Sequence, residues 1–335
     1  MTLRRGVTLC IAVGALLAYT ALHLHSTHAT IPAASLGSTI LVTEPDAGIL
    51  PIVTMIDDAS TSVDLVMYEL EDTSIEQSLA ADAARGVAVR VILDEGYFGK
   101  KENTKNDEAY HYLTGHGVSV HWAPSYFALT HEKSLVIDGK TAVIMTMNFT
   151  PQYYASSREF AIIDTDSNDV AAMESTFDDD WNGNNATAAN GDDLIWSPES
   201  ERALIAFINS AHTSLDMYNE EMADANITSA LEAAAVRGVV VRIDMTYSSE
   251  WKSAFTSLTQ AGAQVRTYSP KAPLYIHAKM ILADHSRAFV GSENFSSNSL
   301  NKNRELGILV TDSAVITSLE NTFEKDWASA TAFTP

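Results

Sequence analysis

The sequence predicts an α/β fold built from two duplicated halves, with mixed, mostly parallel sheets flanked by helices. Three observations carry this: a long internal repeat, apolar strand patterns alternating with helical ones in each half, and a polar stretch between the halves. The repeat is the strongest. His131-x-Lys133-x-x-x-x-Asp138 recurs as His277-x-Lys279-x-x-x-x-Asp284, displaced by 146 residues from His131 to His277. The same displacement carries Asn148 onto Asn294, Glu159 onto Glu305, Phe177 onto Phe323 and Trp181 onto Trp327. An ungapped match of that length marks two related halves. If each brings a histidine to a common site, they must pack face to face about a pseudo-twofold axis, as subunits of an isologous dimer do.

The elements follow in order. Residues 39–42 are an apolar strand candidate, 48–59 a helix, and 63–68 an alternating strand. A helix over 75–85 stops at Gly86, and the β-branched run 87–93 suits a buried parallel strand. The second half repeats the order with a helix over 199–211, strand Ser214–Tyr218, a helix over 227–237 stopped by Gly238, and strand 239–243. Such alternation implies βαβ units. Residues 182–197, rich in Asn, Gly, Ala and Asp, form the linker between halves at 30–181 and 198–335. Its apolar end, Leu194-Ile195-Trp196, is expected to pack as a strand or to cover the interface. Phe177, Trp181, Phe323 and Trp327 read as helix-face core residues.

The first 29 residues stand apart. Arg4 and Arg5 precede an apolar run over 7–24, and polar residues lead to Ala29. This pattern predicts a signal peptide cut after Ala29, hence a periplasmic or secreted protein, with an uncleaved N-terminal anchor as the alternative. Cys10, the single cysteine, falls in that segment, so the mature chain would have neither disulfide nor thiolate nucleophile.

The 335 residues carry a formal net charge of −22. Such a chain repels polyanions at long range, which weighs against nucleic acid and against tight adsorption to anionic lipid. Lys100, Lys101 and Lys105 are interleaved with Glu102, Asp107 and Glu108, and read as a solvated loop rather than a phosphate patch. There is no His-Glu-x-x-His, cysteine cluster or glycine-rich phosphate loop, so no metal and no cofactor are expected.

The repeated motif carries the chemistry. Strand alternation projects His131 with Lys133, and His277 with Lys279, on one face. An imidazole beside an ammonium makes sense around a bound anion. Two histidines, two lysines, two asparagines and two glutamates are an inventory for breaking a phosphodiester without a metal.

The arrangement resembles the phospholipase D superfamily, whose signature is His-x-Lys-x4-Asp followed by Gly-Ser-x-Asn. The second half matches in full through Gly291-Ser292-Glu293-Asn294, whereas the first has Met145-Thr146-Met147-Asn148. Met145 in place of glycine is expected to narrow the site on that side. Ser157-Arg158-Glu159 and Asn303-Arg304-Glu305 fit the acidic residue downstream of the signature. The resemblance implies two βαβ-rich halves with one active site at their interface. It also implies His131 as the nucleophile and His277 as the acid/base, an order that the residues alone leave open. Lys133, Lys279, Asn148 and Asn294 would bind the non-bridging oxygens, with Thr146 and Ser292 as hydroxyl donors. Glu159 and Glu305 would each orient an imidazole, of the same half or the opposite one. Asp138 and Asp284 complete the motif and are expected to tie down a turn rather than touch substrate. Tyr126-Phe127 and Leu274-Tyr275 either line the mouth of the cleft or pack.

The expected function is that of an exported phosphodiesterase of the phospholipase D type. It would hydrolyse phospholipid headgroups to phosphatidic acid through a phosphohistidine, as a monomeric pseudo-dimer touching membrane surfaces transiently. The alternatives are a nuclease, a phosphatidyltransferase such as a cardiolipin synthase, and an inactive binding protein of the same fold. Such a synthase usually has a pair of N-terminal membrane helices, which this sequence is not expected to form, and that lowers the synthase reading.

Overall fold

A computed structural model describes residues 39–96 and 106–335. The expected signal segment with Cys10, and Lys100, Lys101, Glu102 and Lys105 of the charged loop, lie outside the described residues. The first half runs β1 (Thr39–Glu44), α1 (Leu50–Asp57), β2 (Ser62–Met67), α2 (Thr73–Ala84), β3 (Ala88–Leu93), α3 (Asp107–Gly115), β4 (Ser119–Trp122), β5 (Lys133–Ile137), β6 (Thr141–Met145), α4 (Pro151–Tyr154), β7 (Ser157–Asp164) and α5 (Ser167–Trp181). The second runs β8 (Leu194–Ser197), α6 (Ser200–Asn209), β9 (Ser214–Tyr218), α7 (Ala225–Val236), β10 (Val240–Thr246), α8 (Lys252–Gln260), β11 (Gln264–Tyr268), β12 (Tyr275–Ile276), β13 (Lys279–Ala283), β14 (Arg287–Gly291), α9 (Ser297–Asn301), β15 (Glu305–Val310), α10 (Ser313–Ser329) and β16 (Thr331–Ala332).

Four helices begin where a carboxylate caps them. Asp166 and Asp312, again 146 apart, accept from the backbone N–H groups that open α5 and α10. Asp72 and Asp224 do the same for α2 and α7. After α2 and α7 the chain turns through Gly86 (φ +94°) and Gly238 (φ +93°), a conformation that a side chain would strain.

Two eight-stranded sheets form, one of the first half's seven strands in the order β1-β7-β6-β5-β2-β3-β4 with β12 of the second half added to β7, and one in the order β16-β11-β10-β9-β13-β14-β15-β8. Strands β2-β3-β4 and β9-β10-β11 pair in parallel, as the βαβ pattern predicts. The other main ladders are antiparallel, so the expectation of mostly parallel sheets is corrected. The physical reason lies in the motif. Asp138 and Gly139 take φ of 56° and 62°, and Asp284 and His285 both take 53°, so each motif ends in a tight turn that folds the next strand straight back. The end of the linker, β8, joins β15 as an edge strand.

One core lies outside the first sheet under α1, α2 and α3, and a second lies outside the other sheet under α6, α7 and α8. A third is shared. Val136, Ile144, Phe160 and Ile162 of the first half pack there with Met280, Leu282, Val290 and Phe323 of the second. Burying apolar area from both inner faces in one cluster makes the halves one folding unit. Two buried ion pairs clamp this interface with the same pseudo-symmetry. Arg158 meets Asp326 at 2.6 and 3.0 Å, and Arg304 meets Asp180 at 2.8 and 3.0 Å.

Removing one partner of such a pair leaves a buried charge alone. Asp180→Ala should therefore lower the free energy of unfolding by about 3–5 kcal/mol in urea titration. A loss below about 1 kcal/mol, the range of an exposed pair, would show that Arg304 does not depend on it.

Candidate active site

Two exchanged segments bring the motifs together. Thr130 bridges Arg304 in parallel, and the N–H groups of His131 and Glu132 donate to Arg304 O at 2.9 and 3.0 Å. In the mirror arrangement β12 lies parallel to β7, with Tyr275 opposite Ser157 and Ile276 opposite Arg158, and Ala278 N donates to Arg158 O at 2.8 Å. Each histidine thus lands beside the glutamate of the other half, the alternative that the sequence leaves open. His131 Nδ1 is 2.8 Å from Glu305 Oε2. His277 Nδ1 is 2.5 Å from Glu159 Oε1, an ion-pair contact off the line of a directed hydrogen bond.

Both pairs line one cavity of about 640 Å³, together with Asn148, Asn294, Tyr68, Glu220 and Tyr275. The glutamates are themselves held. Ser299 Oγ and Asn303 Nδ2 donate to Glu305 Oε1 at 2.6 and 2.9 Å, and Thr146 Oγ1 donates to Glu159 Oε2 at 2.5 Å. Asn148 and Asn294 each leave the amide Oδ1 without a partner among the described residues. Lys133 and Lys279 are buried beside the cavity rather than in its wall, and each donates back to the carbonyl of the histidine two residues earlier. Lys279 Nζ also reaches Glu220 Oε2 at 3.2 Å.

The two imidazoles differ electrostatically. Burial, with Lys133 and Lys279 nearby, pushes His131 down to about 4 against the pull of Glu305. Burial also opposes the charge on His277, but Glu159 and Glu220 overcome it and hold this group up at about 9. At neutral pH His131 is a neutral imidazole and His277 an imidazolium. Burial lowers Lys133 to about 7 as well.

Several expected positions fall elsewhere. The Asp138 carboxylate accepts from Ser60, Thr61 and Ser62, and Asp284 from His212, Thr213 and Ser214. Both tie the motif turn to the start of a neighbouring strand and lie outside the cavity wall, as expected for turn residues. Thr146 and Ser292 do not face the cavity as hydroxyl donors to a phosphate. Thr146 supports Glu159, and Ser292 Oγ accepts from Leu306 N at 3.2 Å. Met145 does not narrow the site. It points into the outer core of the first half, fully buried. A Cβ at Gly291 would strike Glu293, Gly307 and Phe289, whereas the corresponding neighbours of Met145 are Met147, Ala161 and Val143. Of Tyr126, Phe127, Leu274 and Tyr275, the residues that flank the two motifs, Tyr275 alone lines the cavity. Phe127 instead lies under the Arg304 guanidinium at 4.4 Å, and Tyr126 OH donates to Asn184 O.

Sequence reasoning missed Glu220, Tyr68 and Ser299. Tyr68 directly follows β2 and Glu220 lies two residues past β9, at the carboxyl ends of parallel strands, where open α/β sheets bind ligands. That position was the available signal. Among the described residues, no group of three or more His, Cys, Asp or Glu is placed to hold a metal ion, and no helix is long and apolar enough to cross a membrane.

The crossed pairing has a direct spectroscopic consequence. Glu159→Gln removes a carboxylate from the imidazolium of His277, so its pKa should fall from about 9 by about one to three pH units in histidine-resolved NMR titration. A shift at His131 instead, with His277 unmoved, would contradict the pairing.

A family model described as "Cardiolipin synthase, PLD-like domain" matches residues 52–181 and 204–327. Cardiolipin synthase of Listeria monocytogenes serotype 4a (strain HCC23) is 22% identical over 325 residues, covering 84% of this chain and 67% of that protein. Cardiolipin synthase 1 of Bacillus cereus is 23% identical over 354 residues, covering 90% of this chain and 68% of that one. Phosphatidylserine synthase of Haemophilus influenzae Rd KW20 shares the fold with a TM-score of 0.68 at 11% identity, over 88% of this chain and 87% of that chain. Polyphosphate kinase of Porphyromonas gingivalis does so with a TM-score of 0.68 at 14% identity, over 86% and 46%. The matched segments coincide with the two halves, and the chain belongs to the PLD-like domain family of cardiolipin synthases, within the phospholipase D superfamily of enzymes acting on phosphodiesters.

Proposed function

We propose that the protein transfers a phosphatidyl group from one phospholipid to an alcohol, as cardiolipin synthases do, rather than to water. The observation that carries the two-step chemistry is the pair of histidines in one cavity, one neutral and one protonated. With Nδ1–H directed to Glu305, neutral His131 presents the Nε2 lone pair to phosphorus. The bond to the leaving alkoxide breaks as His277 gives it a proton, and the phosphatidyl group stays on His131. The acceptor hydroxyl then loses its proton to His277 and attacks phosphorus, which frees His131.

Hydrolysis, the first expectation from the sequence, uses the same groups with water as acceptor. Transfer is favoured because the curated relatives are cardiolipin synthases. The cavity wall supports this reading, since Thr150, Ser156, Ser296 and Asn298 offer hydrogen bonds suited to a polyol acceptor. The amino-terminal pattern adds export to the proposal, with phospholipid as the substrate met outside the cytoplasm.

The test is incubation of the purified protein with phosphatidylglycerol vesicles in the presence of EDTA. Diphosphatidylglycerol and free glycerol should form, and His131→Ala or His277→Ala should each lower the rate at least about 10²–10⁴-fold. Phosphatidic acid as the sole phospholipid product would refute transfer.

A further inference from the structure

Glu220 sits where an anion belongs. Its Oε2 lies 3.2 Å from His277 Nε2, 3.2 Å from Lys279 Nζ and 3.5 Å from Asn294 Nδ2. Its Oε1 accepts from Tyr275 OH at 3.1 Å. The His, Lys and Asn of the second motif therefore converge on one carboxylate oxygen, as they would on a non-bridging phosphoryl oxygen. Burial would raise the Glu220 carboxyl, but His277 and Lys279 more than offset it, so the group is charged.

The first half has no such anion at the matching place. Asp64 grips Arg90 through both oxygens, and Asp216 grips Arg242 in the same way, which aligns β2 with β9. Four residues beyond these aspartates come Tyr68 and Glu220. Tyr68 meets His131 edge to face, with ring centroids 4.6 Å apart, and Lys133 Nζ lies 4.9 Å over its ring. A neutral aromatic ring thus faces one histidine–lysine pair, and a carboxylate faces the other.

We propose that Glu220 is a specificity-determining residue that admits monoanionic phosphodiesters and turns away dianionic phosphomonoesters, an inference that rests on the phosphodiester reading of the site. A diester must displace the carboxylate from its donors. The displaced group stays beside the phosphoryl charge, because Glu220 is anchored at the end of β9 between Asn219 and Glu221, and Glu221 N donates to Asn219 Oδ1 at 3.1 Å. Repulsion scales with the ligand's charge. A diester carries one negative charge, whereas a phosphomonoester carries about −1.5 to −2 at pH 7. Burial raises the neighbouring Glu44 to about 7 and lifts Glu221 above its usual range, so the penalty rests chiefly on Glu220. Without it, a monoester or inorganic phosphate would suit the His-Lys-Asn donors best and would block the enzyme.

The experiment is calorimetric binding of methyl phosphate and dimethyl phosphate to the full chain, wild type and Glu220→Gln, near pH 7. Wild type should bind the diester more tightly. Glu220→Gln should tighten methyl phosphate by about tenfold or more and dimethyl phosphate by about threefold or less. Wild type that binds methyl phosphate at least as tightly as dimethyl phosphate would overturn the proposal without any variant. Equal tightening of both probes would make Glu220 a simple plug, and no change in either would make it a strut; both refute a charge filter. Failure of every protein to bind either probe would instead count against the phosphodiester reading, and this inference would fall with it.

Discussion

The crossing of histidine and glutamate between the halves is the constraint on which the rest of the site depends. His131 takes its carboxylate from Glu305 and His277 takes its own from Glu159, so neither half holds a complete pair. Burying an imidazole against a carboxylate is favourable only when the remaining polar atoms are also satisfied. Here the strand exchange supplies that order. The residue before each glutamate is an arginine, and it reaches across the interface to an aspartate near the end of the other half's last long helix. One tripeptide therefore provides both an interface clamp and the orienting carboxylate. The shared apolar core between the inner sheet faces keeps the two in register.

Duplication gives equal inventories, but the environment makes them unequal. His131 sees one carboxylate, an aromatic ring and a buried lysine, and burial prevails. His277 sees two carboxylates, and they prevail over the same burial. With one orienting glutamate beside each histidine, the division between nucleophile and acid that the proposed transfer needs is thus traced to Glu220, the second carboxylate at His277 and a residue outside the repeated motif. Met145, the departure visible in the motif itself, is spent on the outer core and leaves the cavity unchanged.

Much of this was legible in the sequence. The 146-residue displacement located every histidine, lysine, asparagine and glutamate of the motif, and all but the lysines line the cavity. Helix ends were readable from Gly86 and Gly238, because only their backbone freedom permits the turn. Sheet direction was misjudged because parallel and antiparallel buried strands share an apolar pattern; the informative residues were Asp138-Gly139, a hairpin turn inside the motif. The crossed pairing was illegible because a repeat is equally consistent with pairing within or between halves. Arg158 and Arg304, with Asp180 and Asp326, also obey the displacement, yet charged residues are ordinarily surface features, and only burial reveals them as a clamp. Glu220 escaped because its partner across the pseudo-twofold is a tyrosine, which no repeat would match.

In the proposed transfer, one cavity holds a neutral histidine that attacks and a protonated one that gives up its proton. Trapping the covalent intermediate tests it most directly. With a p-nitrophenyl phosphodiester, whose leaving group needs no acid, His277→Ala should accumulate a phosphoryl adduct that acid- and base-resolved peptide mass spectrometry places on His131. An adduct on another residue, or wild-type release of p-nitrophenol by His131→Ala, would contradict the account.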